Sequence, residues 1–226
     1  MKTSPKKLSV GVLASGSGTD LQSIIDASEK NLIDADVVVV ISDKCDAGAL
    51  TRAKTHHIPG FFVEPKGKDR AAHEDEIDTI LHAHQVELVI GAGYMRLLSP
   101  SFVNKWHHKI INIHPTLLPS FKGTNGQRDA LHYGVKISGC TTHFMDTEMD
   151  HGPIILQAAV KVHRDDDRDA LASRILAVEH QILPRTVQLF AQNRLLVEGR
   201  NVVILPGDSW IKKHKVLPDV LYSEGY

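Results

Sequence analysis

The sequence predicts an α/β fold: a doubly wound, mostly parallel sheet with helices on both faces, whose C-terminal part adds antiparallel strands and a long helix. Two observations carry this. Short apolar runs alternate with helical patterns through the first half, and the first such run empties into a glycine-bearing turn directly ahead of a helix. A third observation bounds the size, because 226 residues, 42% of them hydrophobic, can bury the core of one α/β domain.

The elements follow in order. Leu8 to Leu13 is a short apolar run, read as a strand, and Thr19 to Lys30 repeats its apolar residues at helical spacing. Asp36 to Ile41 is a valine run, the composition of a strand buried on both faces, followed by a helix over Ala47 to His56. The short strand Gly60 to Val63 precedes a charged helix, Asp69 to His84. Glu87 to Ile90, a helix Pro100 to His107 and a strand Lys109 to Ile113 complete the alternating rhythm. The pattern then changes. Ser138 to Met145 and Ile154 to Val160 read as paired strands joined by a turn at Thr147 to Pro153, and Asp169 to Asn193 as one long amphipathic helix that Pro184 should bend or split. Leu195 to Glu198 and Val202 to Leu205 suggest a terminal hairpin. With no repeat or low-complexity linker, residues 1–226 read as a single domain, about 8–206 as its core and 207–226 as a peripheral tail.

Composition excludes several classes of function. A net charge of −1 with scattered charges lacks the basic stripe of a nucleic-acid binder and suits small-molecule substrates. No apolar stretch approaches a membrane span and no signal-peptide hydrophobic region precedes the first strand, so the expected compartment is the cytoplasm. Two cysteines, Cys45 and Cys140, provide neither a disulfide framework nor a cysteine zinc site. His143, Asp150 and His151 with His114 match no standard ligand spacing, so no metal is expected.

Chemistry concentrates in a few places. If Lys109 to Ile113 is a strand, period-two alternation sends Asn112 and His114 to one face beside the C-terminal edge of the sheet, where open α/β sheets bind ligands. An amide donor beside a titratable ring is what acyl transfer needs, one group for an oxyanion and one for a proton. A structural histidine beside a turn asparagine is the plainer alternative. Ala14 to Asp20, rich in small residues at a helix start, suits a phosphate, yet lacks the lysine of a Walker motif and has Leu21 where a dinucleotide fingerprint wants glycine; it equally reads as a turn with Thr19 or Asp20 as N-cap. The turn from Met145 to Pro153 brings Asp150, which would orient His114 if the fold joined them, or else sits on a solvated hairpin tip. Gly91 to Pro100 has the glycines and apolar side chains to line a cleft for a flat ligand, or to pack the core. Glu179 suits a ligand amine, or a solvated helix face.

Taken together, S-G-S-G-T-D-L-Q at Ser15 to Gln22, G-Y-M-R-L-L-S-P at Gly93 to Pro100, N-I-H-P-T-L-L-P at Asn112 to Pro119 and the run from His143 to Gln157 resemble the folate-dependent formyltransferase family, in its order and spacing from about Leu8 to Pro206. The resemblance implies transfer of a formyl group from 10-formyltetrahydrofolate, as co-substrate, to the amine of 5'-phosphoribosylglycinamide in purine biosynthesis, with no metal. It implies Asn112, His114 and Asp150 as the catalytic trio. Gly18, Thr19, Asp20 and Glu179 would serve the ribonucleotide, and Arg70, Met95, Arg96, Leu97, Leu98 and Asn112 the folate, with backbone groups around Met145 to Asp150 meeting the pterin. Three departures stand out: Asp20 where many members have Asn, no histidine in the Phe121 to Gln127 stretch, and His151 in place of a small residue.

Within that family, methionyl-tRNA formyltransferases would add a C-terminal tRNA-binding domain, and formyltetrahydrofolate hydrolase an N-terminal regulatory domain; this chain is expected to have neither. The hydrolase reaction remains the enzymatic alternative. A non-catalytic nucleotide-binding module would explain the glycine loop but not the Asn112, His114 and Asp150 set. The expected assembly is a monomer or a homodimer.

Overall fold

The computed structural model describes residues 6–207 and 216–226. In chain order its elements are β1 (Leu8–Leu13), α1 (Thr19–Glu29), β2 (Ala35–Ser42), α2 (Gly48–Thr55), β3 (Gly60–Phe62), α3 (Arg70–Ala83), β4 (Leu88–Gly91) and α4 (Pro100–Lys105). They continue as β5 (Ile110–His114), α5 (Gly126–Tyr133), β6 (Ile137–Phe144), β7 (Ile154–Lys161), α6 (Arg168–Ala191), β8 (Leu195–Glu198), β9 (Asn201–Ile204) and β10 (Leu221–Tyr222).

Eight strands form one sheet in the order β10-β7-β6-β5-β4-β1-β2-β3, while β8 and β9 pair separately as an antiparallel hairpin. From β3 to β5 the neighbours are parallel; from β5 through β6 and β7 to β10 they are antiparallel. This is the mostly parallel, doubly wound architecture that the alternating pattern predicts, with the antiparallel strands on the C-terminal side.

Alternation along the strands sorts side chains to two cores. Val10, Val12, Val40, Leu88, Ile90, Ile111 and Ile113 pack with Leu21 and Ile24 of α1 and Ile175, Val178 and Ile182 of α6. Leu13, Val39, Ile41, Val89 and Ile110 pack on the other face with Ile77 and Leu81 of α3 and Phe102 and Val103 of α4. The helices on that second face start on side-chain caps: Asp69 accepts from the Ala72 N–H and Ser99 from the Phe102 N–H, with Pro100 placed where its missing N–H costs nothing.

Three features depart from the sequence reading. Helix α6 runs unbroken through Pro184 rather than splitting there. The cost of a proline inside a helix, about 3 kcal/mol, is offset because this half of α6 is buried almost all round, Ile182, Leu183, Val187 and Leu189 among its buried residues. Helix α5 has a mostly polar sequence, with only Gly126 and Ala130 buried, so it carries little hydrophobic periodicity to read. The third is the tail. Residues 208–215 lie outside the described residues, but the stretch after them is not peripheral: β10 adds a strand beside β7, Tyr226 is buried, and Arg185 Nε donates to the Gly225 carbonyl at 2.7 Å.

The strand order reverses between β1 and β4, so loops leaving their carboxyl ends diverge and leave a crevice. Two short bonds tie those loops together there: Ser15 N–H donates to Gly93 O at 3.1 Å, and Met95 N–H to Ser15 Oγ at 2.9 Å.

Candidate active site

Strand β5 lies beside β4, and its parity places Ile110 in the α3/α4 core while Asn112 and His114, further along, pass beyond it. Asn112 pairs with Gly91 in β4. A Cβ at Gly91 would sit 2.8 Å from Asn112 Oδ1, so the glycine makes room for the carboxamide. On its other side Asn112 pairs with His143 of β6, and Asn112 Nδ2 and His143 Nε2 are 3.3 Å apart.

The tautomer of His143 follows from its second contact. Its Nδ1 lies 2.9 Å from the Phe144 carbonyl, which can only accept, so Nδ1 carries the proton and Nε2 accepts from the Asn112 amide. Burial pushes the His143 pKa below the usual value, which keeps the ring neutral and Nε2 able to accept. One Asn112 N–H is thereby spent on His143, and among the described residues no partner is found for the other. In the sequence His143 stands in the histidine and carboxylate set without standard ligand spacing and at the head of the run to Gln157, and neither gives it a role of its own. The signal that identifies it is register: once β5 and β6 are antiparallel, residue 143 falls opposite residue 112.

His114 is buried, with Nε2 donating to the Phe121 carbonyl at 3.0 Å and Nδ1 facing Asp150 Oδ2 at 3.5 Å. Asp150 comes from the β6–β7 turn, where its backbone takes the left-handed conformation (φ 49°). Its Oδ2 accepts from Gly123 N–H at 2.8 Å, and its Oδ1 lies 3.9 Å from His143 Nε2. Only 12% of the Asp150 side chain is exposed, so the solvated-tip alternative does not describe this residue, although Glu148 beside it is 72% exposed. The turn is shaped by tight packing at Gly152, where a Cβ would stand 1.9 Å from Phe144 O.

The loop that supplies Phe121 O and Gly123 N–H is itself anchored by buried Thr141. Its Oγ1 donates to Thr116 O at 2.7 Å and accepts from Leu118 N–H at 3.1 Å and Gln157 Nε2 at 3.0 Å. His151 is held from the far side, with Nδ1 donating to Asp146 Oδ2 at 2.8 Å and Nε2 accepting from Arg200 Nη1 at 2.9 Å.

The residues expected around this centre divide. Met95, Arg96 and Leu97 are exposed on the loop after β4, next to the strand that carries Asn112, whereas Leu98 turns inward to pack with the α3/α4 core. Arg70 is exposed in the first turn of α3, and no hydrogen bond or ion pair joins it to Asn112, His114 or Asp150.

At the mouth of β1, the N-cap of α1 is Gly18, not Thr19 or Asp20, and no side chain caps the helix. Gly18 adopts φ 72°, and a Cβ would lie 2.7 Å from Ala49 Cα, so two constraints demand glycine here. The uncapped N–H groups and the helix dipole favour negative charge at this end. Glu179 is buried rather than on a solvated helix face, and burial beside Asp20 pushes its pKa well above the usual carboxylate value. Burial raises Asp20 to about 6. A groove of about 430 Å³ between α1 and α6, lined in part by Thr19, Gln22, His180 and Pro184, adjoins this helix end rather than the Asn112 centre. Cys45 and Cys140 are both free, the first exposed and the second buried.

The geometry can be compared with known proteins. Residues 8–187 match the family model described as formyl transferase. The chain is 44% identical over 199 residues to the trifunctional purine biosynthetic protein adenosine-3 of Bos taurus, covering 87% of this chain and 20% of that protein. The chain thus spans about a fifth of the trifunctional relatives' length. It is 38% identical to the phosphoribosylglycinamide formyltransferase of Haemophilus influenzae, over 88% of this chain and 93% of that one. The crystal structure of glycinamide ribonucleotide transformylase 1 from Symbiobacterium toebii superposes with a TM-score of 0.89 at 44% identity, covering 91% of this chain and 98% of that one.

Proposed function

This chain belongs to the formyl transferase family, and we propose that it transfers a formyl group from 10-formyltetrahydrofolate to the amine of 5'-phosphoribosylglycinamide. The observation that carries the reading is the convergence of Asn112, His114 and Asp150 from two distant segments onto one end of the sheet, with His143 fixing the amide.

In this reading the ribonucleotide is held with its phosphate against the start of α1 and its amine toward Asn112. Gly18, Thr19 and Asp20 hold the phosphate end and Glu179 lies on the same side. Met95 and Leu97, large, apolar and exposed, suit the face of a flat heterocycle, with Arg96 and Arg70 available to its anionic end. The bound folate supplies an activated one-carbon unit on a nitrogen that can leave. As the amine adds to the formyl carbon, the carbonyl oxygen becomes an oxyanion, and the free Asn112 N–H is aimed to stabilise it. His114 stands beside it, its ring steered by Asp150 and the Phe121 carbonyl, to carry the proton that the amine loses toward the departing N10. Side-by-side binding turns a bimolecular encounter into an oriented one.

The test is a spectrophotometric assay of formyl transfer with both substrates. Formylated ribonucleotide formed in step with tetrahydrofolate supports the assignment. Formate released at the same rate with and without the ribonucleotide would instead make the chain a hydrolase, and saturable ribonucleotide binding with no turnover of either kind a binding module.

A further inference from the structure

Asp20 sits in the first turn of α1, where the helix dipole would ordinarily keep a carboxyl ionised. Its surroundings work the other way. Asp20 Oδ1 is fully buried and has no hydrogen-bond partner, an arrangement that a charged carboxylate tolerates poorly.

Among the described residues, no cation hydrogen-bonds to this oxygen. His180 of α6 approaches, with Nε2 3.7 Å from Asp20 Oδ1, beyond hydrogen-bond reach, and this nitrogen too is buried without a partner. Burial and the nearby Arg52 depress the His180 pKa, so the ring is neutral there. The next residue on α6 toward the sheet is buried Glu179, whose own carboxyl is held protonated by burial and by Asp20. Cys140 of β6 also feels both carboxyls and keeps its proton. Arg52 of α2 is committed elsewhere, its Nε donating to Ser17 O at 2.8 Å and its Nη1 to Gln22 Oε1 at 3.0 Å. Asp26, further along α1, is engaged by Gln22 Nε2 at 2.7 Å and Lys30 at 3.6 Å.

A phosphate monoester carries a charge of about −1.5 to −2 at neutral pH. Brought to this helix end, it meets either a buried carboxylate, which repels it, or a carboxylic acid, whose O–H it can accept. We propose that Asp20 holds a proton when the ribonucleotide is bound and donates it as a hydrogen bond to the phosphate, so that capture of the ribonucleotide is coupled to uptake of a proton. This rests on the formyl-transfer reading, in which the phosphate lies at Gly18 to Asp20.

With free Asp20 titrating at about 6, the fraction of protein ready to bind falls roughly tenfold for each pH unit above that value. The phosphate's own second ionisation, near pH 6, overlaps this window, so the comparison must be with a variant whose side chain cannot titrate.

The experiment is isothermal titration calorimetry of the intact chain with 5'-phosphoribosylglycinamide between pH 5.5 and 8, in pairs of buffers differing in ionisation enthalpy. The native chain should take up close to one more proton per ribonucleotide than Asp20→Asn at pH 7.5. Its ribonucleotide KM should rise with pH more steeply than the variant's, by up to about tenfold per unit. On the native chain alone, the nucleoside lacking the phosphate should bind without that uptake. Equal proton uptake by native and Asp20→Asn chains, parallel KM profiles, or loss of the uptake in Glu179→Gln while Asp20→Asn retains it would overturn the proposal. A chain that neither binds nor formylates the ribonucleotide would overturn the activity itself, and this inference with it.

Discussion

Asp150 Oδ2 lies 3.5 Å from His114 Nδ1 while accepting the Gly123 N–H at 2.8 Å, so one carboxylate oxygen spans the ring and the loop that packs on it. The pairing needs the β6–β7 turn to fold back over the end of β5, and the left-handed backbone at Asp150 is part of that path. Removing the charge while keeping the shape isolates its role. Asp150→Asn is expected to lower kcat by about two orders of magnitude, with both KM values close to native, because the interaction matters mainly in the transition state. Native-like kcat in steady-state kinetics of the purified variant would reduce Asp150 to a structural loop carboxylate.

Asn112→Ala removes the donor proposed for the oxyanion. The expected loss in kcat is roughly 10²- to 10³-fold, about 3 to 4 kcal/mol, with the far-UV circular dichroism and melting temperature little changed. His143 is left with a free acceptor, a smaller effect. Turnover within a factor of a few of native, in a folded variant, would remove Asn112 from the chemistry.

Gly152→Ala should act through the fold. Its Cβ would stand 1.9 Å from Phe144 O and 2.9 Å from Phe144 C, both backbone atoms that cannot step aside. Overpacking of this kind costs about 1 to 3 kcal/mol, so calorimetry should show a melting temperature lower by several degrees. Activity should fall too, since the same turn carries Asp150. A variant that melts with the native protein would mean that the strands part here at little cost.

The pair Asp166 and Arg174 gives a pH signature of stability. Arg174 donates to both carboxylate oxygens, at 2.7 and 2.9 Å, and this bonding lowers the Asp166 pKa from 3.8 to about 2. A depressed folded-state pKa means that the contribution is fully present above about pH 4 and is lost as pH falls through about 2. Asp166→Asn is therefore expected to be less stable than native at pH 7 by on the order of 1 kcal/mol, the gap closing as the native carboxylate is protonated. Urea midpoints for both proteins between pH 7 and 2.5 would check this; a gap that does not change with pH would show that the charge contributes nothing.

What the amino-acid sequence determined by itself was whatever depends on near neighbours in the chain. The valine run of β2, the apolar repeats of α1 and α6, and the hairpin β8–β9 are each encoded within one segment, so their periodicity reads directly. So does the common face of Asn112 and His114, because alternation along a strand is local. Tertiary structure decided the rest, through contacts between segments far apart. His143 becomes a partner of Asn112 only through the β5–β6 register, and β10 exists only because β7 offers it an edge. Helix α6 stays whole at Pro184 because the surrounding core outweighs a local break. Asp20 shows the same most sharply: at the start of a helix its sequence neighbours favour an ionised carboxyl, and burial against α6 works against that preference and raises its pKa to about 6, since desolvation acts through whatever packs nearby, wherever it stands in the chain.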